Sequence, residues 1–120
     1  SLDTIDWHKG HSTTNELLWA GVPVLTAPGA SFAARVGCSL LTAAGMPELI
    51  ARDADDYIAI AKRLGNDRAQ CAALRQKLAA NRSTALFFDQ RRIVAGLEAV
   101  YSEMWRISLS GTPPQTIETQ

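Results

Sequence analysis

Between Gly10 and Glu16 the chain reads Gly-His-Ser-Thr-Thr-Asn-Glu, directly ahead of the apolar run Leu17-Leu18-Trp19-Ala20. Such residue types suit the binding of an anion. A glycine lets backbone come close to a ligand, and the hydroxyls of Ser12 and Thr13 supply donors. His11 donates to a phosphate oxygen, most strongly when its ring is protonated. If a helix starts here, its first N–H groups lack intrahelical partners, and the helix dipole adds about 0.3–1 kcal/mol for a negative group at an exposed site. The same residues have a simpler use. Thr13 with Glu16 three residues on forms a capping box, which needs no ligand. Residue types alone leave both readings open, with capping the commoner role.

The elements that must hold this stretch follow from hydrophobic patterning. "SLDTIDW" reads as a strand end running into a loop, and residues from Thr13 to Ala20 as a short helix stopped by Gly21. "VPVLTAPG" is an apolar, β-favouring run bounded by glycine and Pro-Gly, as expected of a strand buried in a parallel sheet, with Pro23 confined to its start or to an edge. Next, "SFAARVGCSLLTAAG" reads as a helix with Ser31 at its start, Gly45 at its end and Phe32, Val36, Leu40 and Leu41 on one face. Strand, helix, strand, helix is the cadence of an α/β sheet.

After Gly45 the pattern turns helical. A short turn follows Pro47. Asp53, Asp67 and Asp89 are each placed to cap a helix. The first of these carries Tyr57, Ile60, Ala61 and Leu64, and Gly65 is its expected end. The second carries Cys71, Leu74 and Leu78, and the third Ile93, Leu97, Val100, Tyr101 and Met104. From Ser108 the tail, with two prolines, reads as extended or disordered. Two short strands do not make an independent sheet. With no initiator Met, the chain is expected to be a segment whose remaining strands lie upstream.

Composition narrows the function. Of 120 residues, 47% are apolar and 20% charged, and 12 basic side chains balance 12 acidic ones. That is a globular composition. No cationic excess exists to displace counterions from a nucleic acid, so none is expected as a partner. No apolar run approaches a membrane span, the opening residues carry no secretory pattern, and a cytoplasmic location is the default. The two cysteines, Cys38 and Cys71, read as buried thiols. Neither Cys38 nor Ser31 has an oriented base beside it, so neither reads as a nucleophile. Dinucleotide and P-loop fingerprints are absent. His8 and His11 with Asp3 and Asp6 are too loosely spaced for a metal site, and none is expected. Trp7, Trp19 and Trp105 read as packing residues, and Arg35 as a surface or interdomain ion-pair partner.

The ordered series "LDT", "GHSTTNELLWAGVPVLTAPG", "RVGCSLL" and "ELI", followed by "STALFFDQRR" and Met104-Trp105, closely resembles the end of the catalytic domain of the protein O-GlcNAc transferases, glycosyltransferase family 41. That family includes bacterial SPINDLY-type proteins with tetratricopeptide repeats. The resemblance covers about residues 1 to 107. It implies a GT-B enzyme, inverting and metal-independent, that moves N-acetylglucosamine from UDP-GlcNAc to Ser or Thr hydroxyls of a protein or peptide acceptor. The expected fold class is therefore α/β: residues 1–107 as the C-terminal part of a Rossmann-like, nucleotide-sugar-binding half, followed by helices, and 108–120 as tail.

By resemblance, Gly10, His11, Ser12 and Thr13 hold the diphosphate and Glu16 the ribose. No catalytic residue and no cofactor are implied here; the general base, a phosphate-binding lysine, a second Rossmann half and tetratricopeptide repeats are expected upstream. Ser12 replaces the family's usual threonine, Glu16 its aspartate, Lys9 a frequent asparagine, and Ala30 a glutamate after Pro-Gly. Because of Glu16 and Ala30, a related donor such as GDP-fucose or UDP-glucose, or a non-catalytic module that binds a nucleotide or a partner, stays open as an alternative.

Overall fold

The computed structural model describes residues 1–4, 11–111 and 113–117. Trp7, His8, Lys9 and Gly10 lie outside the described residues, as does Asp6. The chain divides into two compact units, Ser1–Phe88 and Asp89–Gln120.

In the first unit the helices are α1 (His11–Trp19), α2 (Ala33–Ala43), α3 (Ala54–Asn66) and α4 (Arg68–Asn81), with 3-10 turns at Pro47–Leu49 and Leu86–Phe88. Three extended stretches accompany them, one before α1, one between α1 and α2 and one between α2 and α3. Leu2 pairs with Leu25, and Thr26 with Ile50, both in parallel sense. The backbone bonds are Asp3 N–H to Leu25 O (2.9 Å), Leu25 N–H to Ser1 O (3.0 Å), Thr26 N–H to Leu49 O (3.0 Å) and Ala51 N–H to Thr26 O (2.8 Å). The stretch around Leu25 and Thr26 thus pairs on both sides. Among the described residues these are isolated bridges, and the strands expected from "SLDTIDW" and "VPVLTAPG" do not extend further. At the start of the run the Pro23 carbonyl still accepts from the Ser1 amino group at 2.7 Å, and at its end Pro28 lacks the N–H that would continue pairing.

Burial explains the local order. Val24, Leu25, Thr26 and Ala27 are all buried, as a stretch covered on both faces requires. Val24 joins Leu18 of α1, Leu41 of α2, Leu49, Leu78 of α4 and Phe87 in the larger apolar cluster, while Leu25, Ala27, Ala51 and Tyr57 form a second. Leu18, Leu41, Met46 and Leu78 have no exposed surface. Truncating any of them to alanine removes packing worth about 2–5 kcal/mol.

Several local expectations are met. Asp53 Oδ1 accepts from the Asp56 amide at 2.8 Å and Asp67 Oδ1 from the Gln70 amide at 2.8 Å, so α3 and α4 are capped as read. Gly45 ends the α2 region with φ of +71°, a left-handed conformation that suits glycine. Other expectations need correction. α3 runs through Gly65 to Asn66, because Asp67 caps α4 immediately beyond it. On α2 the buried residues are Ala34, Gly37 and Leu41, so its inward face is turned away from Phe32, which is 77% exposed. The cysteines form no disulfide and are half-buried.

The second unit is α5 (Gln90–Leu109) and residues beyond it. Asp89 Oδ1 accepts from the Arg92 amide at 3.0 Å, the expected cap. The helix continues two residues past Ile107, its one buried position. The expected stripe of Ile93, Leu97, Tyr101 and Met104 is exposed, and so is Trp105, which therefore does not pack as expected. Among the described residues no helix is long and apolar enough to cross a membrane.

Candidate functional site

α1 begins at His11, two residues before the position expected for its cap. Thr13 therefore lies in the first turn, and the Thr13–Glu16 capping box is not what starts the helix. Burial decides the register: Thr14 and Leu18, four residues apart, face inward. Ser12, Thr13 and Glu16 are left exposed around the opposite side, whereas His11, three residues before Thr14 and seven before Leu18, is exposed at the start of the inward-facing side. Glu16 is four residues after Ser12 and three after Thr13, so its carboxylate shares their face. Two exposed hydroxyls, those of Ser12 and Thr13, stand in the first turn of α1. Gly10 lies outside the described residues.

The His11 ring is tied to a second helix start. Its Nε2 is 3.1 Å from the carbonyl oxygen of Ala33, the first residue of α2. A carbonyl only accepts, so Nε2 carries the hydrogen and Nδ1 is the nitrogen left for another partner. In a neutral ring that Nδ1 is an acceptor. It becomes a donor, and a match for a phosphate oxygen, when the ring is doubly protonated.

The turn that presents Ala33 is held from three directions. Ser31 Oγ accepts from the Ala34 amide at 3.1 Å, which caps α2 as its position suggested. Arg35 Nη1 donates to the Ala30 carbonyl at 2.6 Å, a loop bond in place of the expected ion pair. Gly29 packs so closely that a Cβ there would come within 2.5 Å of the Ala34 Cβ. Sequence reasoning named His11 but not Ala33, because a backbone carbonyl carries no side-chain signature.

Below this turn, Asp3 accepts the Thr26 hydroxyl at Oδ2 (2.8 Å) and the Tyr57 hydroxyl at its backbone carbonyl (2.6 Å). Burial, with the Asp3 charge adding to it, pushes the Tyr57 phenol above its ordinary value, so the hydroxyl keeps its proton across the neutral range. Among the described residues no group of three or more His, Cys, Asp or Glu side chains is placed to hold a metal ion.

Known proteins place the chain. The model of glycosyl transferase family 41 matches residues 1–97. The chain belongs to that family. A UDP-N-acetylglucosamine–peptide N-acetylglucosaminyltransferase of Caenorhabditis elegans is 38% identical over 105 residues, covering 88% of this chain and 9% of that relative. A SPINDLY protein of Solanum lycopersicum is 36% identical over 114 residues, 95% of this chain and 12% of its own length. Among solved structures, a mutant O-GlcNAc transferase of Thermobaculum terrenum matches with a TM-score of 0.78 and 43% identity, over 88% of this chain and 20% of that one. The resemblance read from the ordered motifs is thereby borne out. This family 41 chain spans about a tenth of the curated relatives and a fifth of the solved transferase.

Proposed function

We propose that the chain forms part of the nucleotide-sugar-binding half of a GT-B protein O-GlcNAc transferase, with residues 1–107 in that half and 108–120 as its tail. The whole enzyme moves N-acetylglucosamine from UDP-GlcNAc to a Ser or Thr hydroxyl of a protein acceptor. In this reading Gly10, His11, Ser12 and Thr13 receive the diphosphate, and Glu16 accepts from the ribose hydroxyls.

The observation that carries the reading is the exposed first turn of α1, where the hydroxyls of Ser12 and Thr13 and a ring held by the Ala33 carbonyl belong to one helix start. When the sugar–phosphate bond breaks, negative charge grows on the leaving diphosphate. Donors already in place stabilise that charge more than they stabilise the bound donor, which lowers the barrier. The general base, the tetratricopeptide repeats and the second Rossmann half belong, in this reading, to other parts of the protein.

Titrating UDP calorimetrically into the full-length protein tests the assignment. His11→Ala is expected to weaken UDP binding by about tenfold or more, since a hydrogen bond to a charged group is worth about 1.5–3 kcal/mol. Unchanged affinity in His11→Ala, with the melting curve intact, sinks it.

A further inference from the structure

The ring of His11 is only as well aimed as the carbonyl that holds it, and that carbonyl belongs to the first residue of α2. Something must fix α2 against the rest of the unit. One turn on from Ala33, at Gly37, the helix backbone lies directly on a polar pair. A Cβ built at Gly37 would stand 3.0 Å from Asp3 Oδ2 and 3.0 Å from Thr26 Oγ1. Those two atoms are hydrogen-bonded to each other at 2.8 Å.

The pair is itself anchored on several sides. Thr26 is fully buried and bonded through its backbone to Leu49 and Ala51. The Asp3 amide donates to the Leu25 carbonyl and its own carbonyl receives the Tyr57 hydroxyl, so the first extended stretch, the central one and α3 meet at one residue. A carboxylate–hydroxyl pair is a directional spacer: its length is set by a hydrogen bond, whereas an apolar contact tolerates sliding. Apolar packing alone would have served stability.

We propose that Asp3, Thr26 and Gly37 form a seat for α2 that positions the Ala33 carbonyl, and through it the His11 ring, for the diphosphate. The proposal rests on the reading that His11 meets the diphosphate. Asp3 and Thr26 are positioning residues, and neither touches the ligand.

The test is a double-mutant cycle on the full-length protein, read as the UDP dissociation constant beside a melting curve. Thr26→Val keeps shape and removes the hydroxyl. It is expected to weaken UDP about tenfold, because small misplacements of a binding group are costly. Thr26→Ser restores the hydroxyl and is expected to stay within about threefold of the parent. In a His11→Ala background Thr26→Val is expected to have little further effect, since both changes act on one contact. Gly37→Ala, which leaves every hydrogen-bonding group in place, is expected to reproduce the loss and the non-additivity if Thr26→Val folds poorly. The seat is overturned if Thr26→Val and Gly37→Ala leave UDP affinity unchanged, or weaken it equally with and without His11. If His11→Ala itself binds UDP as the parent does, the diphosphate reading falls and the seat falls with it.

Discussion

The guanidinium of Arg82 donates to the carbonyl of Trp19, 63 residues earlier in the chain, at 2.8 Å. It closes the exposed end of α1 from the far end of α4, supplying a donor to a carbonyl that the helix leaves unpaired. The same group lies 5.7 Å from the Trp19 ring centroid and 5.5 Å from that of Phe88. Phe88 in turn meets Trp19 and Phe87 edge-on, so the guanidinium caps an aromatic cluster as well as a helix. Arg82→Met keeps the stem and removes both roles. It is expected to cost about 1–2 kcal/mol, as a lowered melting midpoint, and Arg82→Lys to recover only part of that, because an ammonium lacks the planar fork.

The turn after α2 offers a sharper test of backbone chemistry. Gly45 has φ of +71°, and a Cβ there would meet Asn81 Nδ2 at 2.7 Å. That amide donates to the Ala44 carbonyl at 2.9 Å and the Gly45 carbonyl at 3.1 Å. Gly45→Ala therefore pays a left-handed backbone penalty and pushes away the group that satisfies the turn. The expected loss is about 2–3 kcal/mol, larger than for an ordinary surface substitution. Asn81→Ala removes the same bonds, so the two losses measured by denaturant unfolding are expected to sum to more than the double variant shows.

What was legible in the sequence was local. Asp53, Asp67 and Asp89 each cap a helix through the amide three residues on, a relationship contained within four residues. Thr13 carried the same signal and lost, because burial of Thr14 and Leu18 started α1 earlier. The α2 face was misjudged for a related reason. Its inward side uses the small Ala34 and Gly37, which periodicity weighted toward large residues passes over. The candidate residues His11, Ser12, Thr13 and Glu16 all lie exposed on α1, where an external ligand can reach them. Their supports were not legible: Ala33 is 22 positions from His11 and Tyr57 is 54 from Asp3, and no spacing rule links such pairs. The strands were read from composition, but pairing depends on neighbours and stops at two bridges among the described residues.

At the start of α3 the Arg52 amide and Nε both donate to Asp56 Oδ2, at 2.9 and 3.1 Å, and Nη2 donates to Oδ1 at 3.2 Å. These bonds hold the Asp56 carboxyl below its ordinary value of 3.8. A folded-state value below the unfolded one means that the folded chain binds the proton less tightly. The associated stability is complete above the ordinary value and is lost as the pH falls through the lower one. Asp56→Asn is expected to lower the melting midpoint at neutral pH. The gap from the parent should narrow as the medium is acidified below about 3.8, the range in which the parent's carboxylate takes up its proton. A gap that does not narrow as the pH falls through that range contradicts the assignment to the charged bond.

His11 Nε2 must bear a hydrogen to reach the Ala33 carbonyl, so a diphosphate oxygen finds a donor at Nδ1 only on the doubly protonated ring. In the proposed contact, UDP binding draws a proton from solution onto any ring that was neutral beforehand. Calorimetric titrations at one pH in two buffers of different ionisation enthalpy should then give different heats. His11→Asn keeps a donor for the Ala33 carbonyl but has no titrating nitrogen, and its heats should be the same in both buffers. Equal heats in the parent protein would mean that the ring reaches the diphosphate through Nε2 by abandoning Ala33, or does not reach it at all.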